Sequence, residues 1–472
     1  MESLENFLAD VSSFVWGPWL LIPLLLLTGL YLTILLRGLQ FRHFRLAFWL
    51  AFFKRKEDDD VDGDIAHYQA LTTALAATVG VGNIAGVATA IALGGPGAVF
   101  WMWFTGLVGM ATKYSEAFLG VRFRRTDAAG EQSGGPMHYL REGIQGRLGW
   151  FLGGFFAIAG AIAAFGIGNM VQANTVAENV EDEWGLAPWA TGLIVTVLAG
   201  AVILGGIKSI GRITSAFVPV MIVFYILGAT AVLAFKIEEL PGAIGLIFTD
   251  AFSGTSATGG FVGAGVAAAI RYGVARGIFS NESGLGTGGI AAAAAKTTHP
   301  VRQALVSMTQ TFIDTLVVVS FTALTIIVTD AWKTGGEDEA ATFTARAFDE
   351  GLPGDWGSVI VTLGVLFFAF STLLGWSYYG ERCMEYLFGR RAVLPYRLVF
   401  IVAVYIGSVS TLTAVWTFSD VMNGLMALPN LVGLLILSPL VWRETRAYFQ
   451  ERPKEEEPAD AGQGLSAGVV PS

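Results

Sequence analysis

Two apolar runs of the chain carry residues that a stable helix would avoid. Residues 77–90 read ATVGVGNIAGVATA and set Gly80, Gly82 and Asn83 in mid-run. Residues 279–289 read FSNESGLGTGG and set Ser280, Asn281 and Glu282 beside a run of glycines. A glycine inside a helix costs about 1 kcal/mol relative to alanine, and a polar cluster in lipid is costly unless it faces protein or water. Where a helix breaks, its freed carbonyls can hold a cation, and the N-terminus of the resumed half-helix attracts a carboxylate. That is the chemistry of reversible binding. Helix packing is the competing explanation, because Gly82 with Gly86 and Gly284 with Gly288 fit the small-xxx-small spacing. Two breaks, each with an amide or a carboxylate beside its glycines, favour a binding site.

Other chemistry is poorly supplied. Cys383 is the lone cysteine, and His43, His67, His138 and His299 are scattered. No CxxC, HExxH or thiol pair is present, and no nucleophile, base and orienting group stand at recognisable spacing. No enzyme activity, cofactor or nucleic-acid partner is expected. Lys113 and Glu116, at i and i+3, can pair on one helix face. Asp314 and Glu282 are the candidate proton carriers, and either could instead brace an interrupted helix; Arg271 and Arg276 are also charges within an apolar run.

The elements that position these groups must be membrane helices. The chain has 472 residues, 54% hydrophobic and 14% charged, with a mean hydropathy of +0.59. A crossing takes about 20 apolar residues. That ruler predicts eleven spans, at 15–37, 68–93, 97–121, 150–178, 189–206, 213–235, 260–295, 301–329, 357–388, 395–415 and 418–442. Arginine and lysine concentrate in alternate loops (37–56, 122–147, 208–212, 296–302 and 382–397), whereas 178–184 and 329–355 are acidic. By the positive-inside rule the N-terminus lies outside and the C-terminus in the cytoplasm, in a multi-pass protein of the plasma membrane. The segment 37–56 mixes aromatics with cations and suits an interfacial helix; the tail from Arg443 is polar and expected to be disordered. The net charge of −9 is acidic for a membrane protein and hints at a salt-adapted source.

Without the first span, ten remain, five and five. An odd number per half inverts the second half in the membrane, and the two broken runs then open the two halves. The expected organisation is an N-terminal helix with its interfacial segment (1–60), a first five-helix repeat (61–236), a second (237–442) and the tail (443–472).

Residues 63–124, GDIAHYQALTTALAATVGVGNIAGVATAIALGGPGAVFWMWFTGLVGMATKYSEAFLGVRFR, closely resemble the alanine/glycine:cation symporter family, whose signature lies in GGPGAVFWMW at 94–103. The likeness continues through GGPMHYL (134–140), FGIGNMVQANTVA (165–177), GVARGIFSNESGLGTGGIAAAAAKTTHPVRQ (273–303), FIDT (312–315) and FAFSTLLGWSYYGER (368–382). One departure is that Gly288 and Gly289 stand where the family usually has a small residue and a proline. The resemblance implies an all-α membrane protein on the inverted-repeat fold of the leucine and neurotransmitter sodium symporters, taking up alanine or glycine with sodium by alternating access. Its partners would be a small neutral amino acid, the sodium ion and the lipid bilayer.

In that fold Ser371 and Thr372 look like the hydroxyl pair of the sodium site, completed by carbonyls of Ala76, Val79 and Phe368. Back-bonding of each hydroxyl to its own helix is the alternative. Asn83 would ligate a second ion or bond the substrate carboxylate, which the N–H groups around Gly80 and Gly82 can approach. Carbonyls of Thr78 and Phe279, or the Asn281 side chain, would accept from the ammonium, and Phe165, Ile167, Gln172 and Trp376 would wall the side-chain pocket. Two rivals remain: proton coupling, which would want a titratable group at the Ser371–Thr372 position, and an ion or water channel, which has no use for paired broken helices.

Overall fold

The computed structural model describes residues 2–17, 19–54, 61–253, 262–333, 342–354, 356–410 and 413–451. They are almost all helical. The chain opens with α1 (Glu2–Val15), α2 (Leu21–Leu35), α3 (Leu39–Arg42) and α4 (Phe44–Phe52). The first broken run is α5 (His67–Thr78), a 3-10 turn (Val81–Asn83) and α6 (Ala85–Gly94), followed by α7 (Gly97–Arg122), a two-residue hairpin of β1 (Arg125–Thr126) and β2 (Gln132–Ser133), and α8 (Pro136–Tyr139). Next come α9 (Gly146–Phe165) joined by a π-turn to α10 (Val171–Trp184), α11 (Pro188–Ile203), α12 (Gly206–Phe235) and α13 (Leu240–Ser253). The second broken run is α14 (Val262–Asn281) and α15 (Thr287–Ala293). After it stand α16 (Pro300–Thr311), joined by a π-turn to α17 (Val319–Val328), then α18 (Phe343–Gly351), α19 (Gly357–Phe388), α20 (Val393–Val409) and α21 (Thr413–Glu451).

Helices occupy all the expected ranges, and six runs among the described residues are long and apolar enough to cross a membrane by themselves. Large apolar side chains such as Val197, Val220, Leu227 and Val399 are more than half exposed, as a lipid-facing surface requires. The polar groups lie inside. The two broken runs traverse the bundle in opposite senses: α5 departs from the end at which α15 arrives, and there Ile65 pairs with Ala295 in a parallel bridge, with Lys296 N–H donating to the Ile65 carbonyl at 2.7 Å.

The structure differs from the sequence expectation in three places. The expected first span, 15–37, is helical as α2 from Leu21, and a further helix, α1, precedes it up to Val15; the sequence WGPW lies between them, and Trp16 Nε1 donates to the Asp420 carbonyl at 2.9 Å. Two helices too short to cross were expected as loop. In α13, Asp250 caps the start of α7 by accepting from Gly97 N–H at 2.9 Å, and in α18, Thr344 donates to the Ile84 carbonyl at 3.3 Å. Finally, the chain does not leave its helix at Arg443. Tertiary partners outweigh its polarity: Thr445 bonds Tyr114 (2.8 Å), Glu444 pairs with Arg122 (3.2 Å) and Phe449 stacks on His43. Residues 452–472 of the expected tail lie outside the described residues. Over its described residues the segment 37–56, expected to be interfacial, forms the two short helices α3 and α4, with Phe41 and Phe53 largely exposed.

Near the bridged end, buried Arg382 of α19 meets Glu381 at 2.5 Å, Glu385 at 2.8 Å and Glu131 of the hairpin at 3.1 Å. Burial works against a charge on Glu131, but hydrogen bonds and charge from Arg390 and Arg382 outweigh it and hold the carboxyl below its usual range. A depressed pKa contributes stability above the unfolded value, and that stability is lost as pH falls through the folded one. Protection of 125–133 against hydrogen exchange, after division by the intrinsic exchange rate at each pH, should therefore be high at neutral pH and fall only below about pH 4; protection that does not change with pH would remove Glu131 from this tie.

α7 runs along α14, α15 and α16, and its contact with α15 is backbone to backbone. A Cβ on Gly120 would lie 2.2 Å from the Gly289 carbonyl oxygen, and one on Gly288 would lie 2.5 Å from Lys113 Cδ. Glycines at 120, 288 and 289 are what let α15 seat there. Gly120→Ala should destabilise the protein by about 1–3 kcal/mol through overpacking, read as a lower thermal midpoint in detergent. An unchanged midpoint would show that the helices part without cost.

Candidate functional site

The first break frees carbonyls by diverting the N–H groups that would cover them. In a continuous helix Gly80 N–H would bond the Ala76 carbonyl; here it donates to Asn83 Oδ1 at 2.9 Å. Asn83 N–H, which would cover Val79, bonds the Gly80 carbonyl at 3.1 Å. The uncovered carbonyls face α19. Ser371 Oγ and Thr372 Oγ1 both bond back to the Phe368 carbonyl of their own helix, at 2.8 and 3.0 Å, as the alternative reading expected, and both also reach the first break: Ser371 Oγ lies 3.1 Å from the Ala76 oxygen and 3.4 Å from Val79, and Thr372 Oγ1 lies 3.2 Å from Ala76. All five residues are buried. The result is a cluster of five oxygens with no nitrogen in it, a donor set that suits a hard cation. Only glycine fits at position 80, since a Cβ would lie 2.6 Å from Thr372 Oγ1.

The second break is held by side chains of α7. α14 ends at Asn281, and Glu282, Gly284 and Gly286 take left-handed backbone angles (φ 56°, 102° and 91°). Their N–H groups need acceptors inside the membrane. Glu116 Oε1 accepts from Gly284 and Gly286, each at 2.9 Å, and from Asn430 Nδ2 at 2.8 Å. Lys113 Nζ donates to the Glu282 carbonyl at 3.1 Å and stands 3.8 Å from Glu116 Oε2. The Lys113–Glu116 pair thus forms and clamps the break. Asp314 then joins the two breaks: its carboxylate accepts from Asn83 Nδ2 at 2.7 Å on one oxygen, and from Ser280 Oγ and Thr315 Oγ1, both at 2.8 Å, on the other.

A small polar pocket lies between the breaks. Of the residues expected to contact substrate, Thr78, Gly80, Gly82, Ile167, Gln172, Phe279 and Trp376 line it, beside Thr372. Asn83 and Asn281 do not. Asn83 is spent on Gly80 and Asp314, and Asn281 donates to Thr315 Oγ1 at 3.0 Å while accepting from Ser283 N–H at 2.9 Å. Phe165 packs on Tyr396 and Phe400 instead. The Thr78 hydroxyl bonds back to Ala74 at 3.1 Å, leaving its carbonyl as the useful group.

The lining also includes Glu282, Leu285 and Asn423, which sequence reasoning did not place there. Glu282 Oε1 accepts from Trp376 Nε1 at 2.8 Å and Oε2 from Thr287 Oγ1 at 2.6 Å. Gln172 Oε1 and Asn423 Oδ1 are buried with no hydrogen-bond partner among the described residues. Unmet acceptors and a carboxylate suit an ammonium group, and the opening N–H groups of the 3-10 turn lack acceptors within it and suit a carboxylate. The signal for Asn423 was an amide, one of two with Asn430, in a largely apolar span.

A sequence profile of the sodium:alanine symporter family matches residues 1–461. The chain belongs to that family. It is 51% identical to the sodium/alanine symporter AgcS of Methanococcus maripaludis, over 94% of this chain and 97% of the relative. Two Bacillus subtilis relatives are a putative sodium/proton-dependent alanine carrier protein, YrbD (36%, covering 96% and 94%), and a probable sodium/glutamine symporter, GlnT (35%, covering 97% and 93%). The protein of this sodium:alanine symporter family is a multi-pass membrane symporter that moves an amino acid with a cation, and not an enzyme.

The clamp on the second break gives a direct test in this symporter. Glu116→Leu strands two backbone N–H groups and Lys113 in the interior and should cost about 3–5 kcal/mol, seen as a collapse of the thermal midpoint in detergent. Glu116→Gln keeps an acceptor oxygen and should lose clearly less. Equal losses would mean that volume, and not hydrogen bonding, is what Glu116 contributes.

Proposed function

We propose that the protein imports small neutral amino acids, alanine and glycine, with sodium by alternating access across the plasma membrane. The observation that carries this reading is the five-oxygen cluster of Ala76, Val79, Phe368, Ser371 and Thr372, buried beside the pocket. Sodium would bind there, drawing α19 against the broken helix and ordering the pocket for the amino acid.

In the pocket the substrate carboxylate would meet the N–H groups of the 3-10 turn, and its ammonium would meet Gln172, Asn423, Glu282 and the Thr78 carbonyl. Trp376, Ile167, Phe279 and Leu285 would limit the side chain. An apolar wall separates one methylene from none by only about 1–3 kcal/mol, so both alanine and glycine would be accepted. The opposed courses of the two broken runs support an inverted five-plus-five arrangement with eleven crossings, and the arginine-rich loops support a cytoplasmic C-terminus.

Proton coupling is the second reading. Glu282 lines the pocket and Asp314 joins both breaks, and one relative is described as sodium/proton-dependent. Alanine uptake into proteoliposomes should require an inward sodium gradient; equal uptake in sodium-free buffer under a proton gradient would favour the second reading. Thr372→Ala, removing one of five ligands worth about 1–2 kcal/mol, should raise the sodium concentration for half-maximal uptake about tenfold with the folded yield preserved. An unchanged sodium dependence would place the cation elsewhere.

A further inference from the structure

A second pocket, remote from the transport site, lies at the end of the molecule where α2 and α21 finish. Its rim carries Arg37, Arg42 and Arg446, and its wall carries Leu36, Leu39 and Trp442. The arrangement is built by local backbone geometry. Arg37 takes φ 56° and Gly38 φ 64°, a turn that non-glycine residues seldom make, and Gly38 N–H closes it on the Thr33 carbonyl at 2.8 Å. α3 is thereby folded back across the end of α21, where His43 stacks on Phe449 with ring centres 3.9 Å apart. Arg446 lies over the Trp442 ring at 5.5 Å.

Among the described residues no carboxylate pairs with any of the three arginines; the acid beside them on α21, Glu444, is taken by Arg122 at 3.2 Å. Three unneutralised cations converging on a cleft repel one another unless an anion joins them. The cleft is half apolar, and Phe41, on the same short helix as Arg42, is 60% exposed. An anion with an apolar body fits this combination better than a hydrophilic acidic peptide does. Basic pockets of this kind between helix ends recognise phospholipid headgroups.

We propose that this pocket binds the phosphate headgroup of an anionic phospholipid, held by Arg37, Arg42 and Arg446 with its acyl chains along the apolar wall. The site does not depend on which ion drives transport. The test is native mass spectrometry of the full chain titrated with phosphatidylglycerol or phosphatidylcholine. The wild type should retain phosphatidylglycerol selectively, and Arg37→Gln/Arg42→Gln/Arg446→Gln should weaken that retention at least about tenfold while phosphatidylcholine retention and the thermal midpoint stay unchanged. If the triple variant is unstable, Arg446→Gln alone should show a smaller loss in the same direction. Equal retention by wild type and variant would overturn the proposal. So would complete displacement by inorganic phosphate, which would make the site one for a free anion. Selective lipid binding that emerges only after Glu455, Glu456 and Glu457 are changed to Gln would also overturn it, naming the chain's own acidic tail as the occupant.

Discussion

The structure depends on one constraint of lipid: a backbone N–H or C=O that leaves its helix must find a partner inside the protein. Both broken runs meet it with side chains. At the first break Asn83 takes the Gly80 N–H, and that single diversion is what leaves the Ala76 carbonyl open toward α19. At the second break Glu116 takes two N–H groups and Lys113 covers a carbonyl. Apart from Glu282, which lines the pocket and also accepts from Thr287 across the second break, the groups that stabilise the breaks are not those proposed to bind. Asn83 and Glu116 hold the backbone, and the backbone presents itself to the ligands.

This division explains what could be read from the sequence. The breaks were legible because glycines and polar residues interrupt apolar runs whose period is otherwise helical, and that signal is local. The fate of an amide is not local. Asn83 and Asn281 stand in the right segments, but partners on the following helix, Asp314 and Thr315, capture them, and no spacing within 77–90 or 279–289 encodes that. Phe165 was read as a pocket wall together with Ile167, Gln172 and Trp376, and packing on Tyr396 and Phe400 turns it away. Glu282 was visible as a charged group beside the second break, but its direction was not, and Asn423 was not singled out.

The fold shows the same pattern. Long apolar helices followed from length and hydropathy, whereas α13 and α18 were read as loop because they are too short to cross. Their contribution is to caps, through Asp250 at the start of α7 and Thr344 at the carbonyl of Ile84. The last turns of α21 were read as tail because their composition is polar. They stay helical because Tyr114, Arg122 and His43 supply contacts that composition does not reveal.

The bridge between Ile65 and Ala295 has a mechanical meaning. It stitches the start of one broken run to the end of the other through main-chain hydrogen bonds, and Arg124 reinforces it by donating to the carbonyls of Ala295 and Asp62 at 2.7 and 2.9 Å. An excursion that opens this end must either break the stitch or carry both half-helices as one lever. In the second case the proposed cation ligands on α5 and the proposed amino-acid contacts beside α15 would travel together, so neither cargo could be released while the other stayed behind, and slippage of one gradient without the other would be suppressed by the backbone itself.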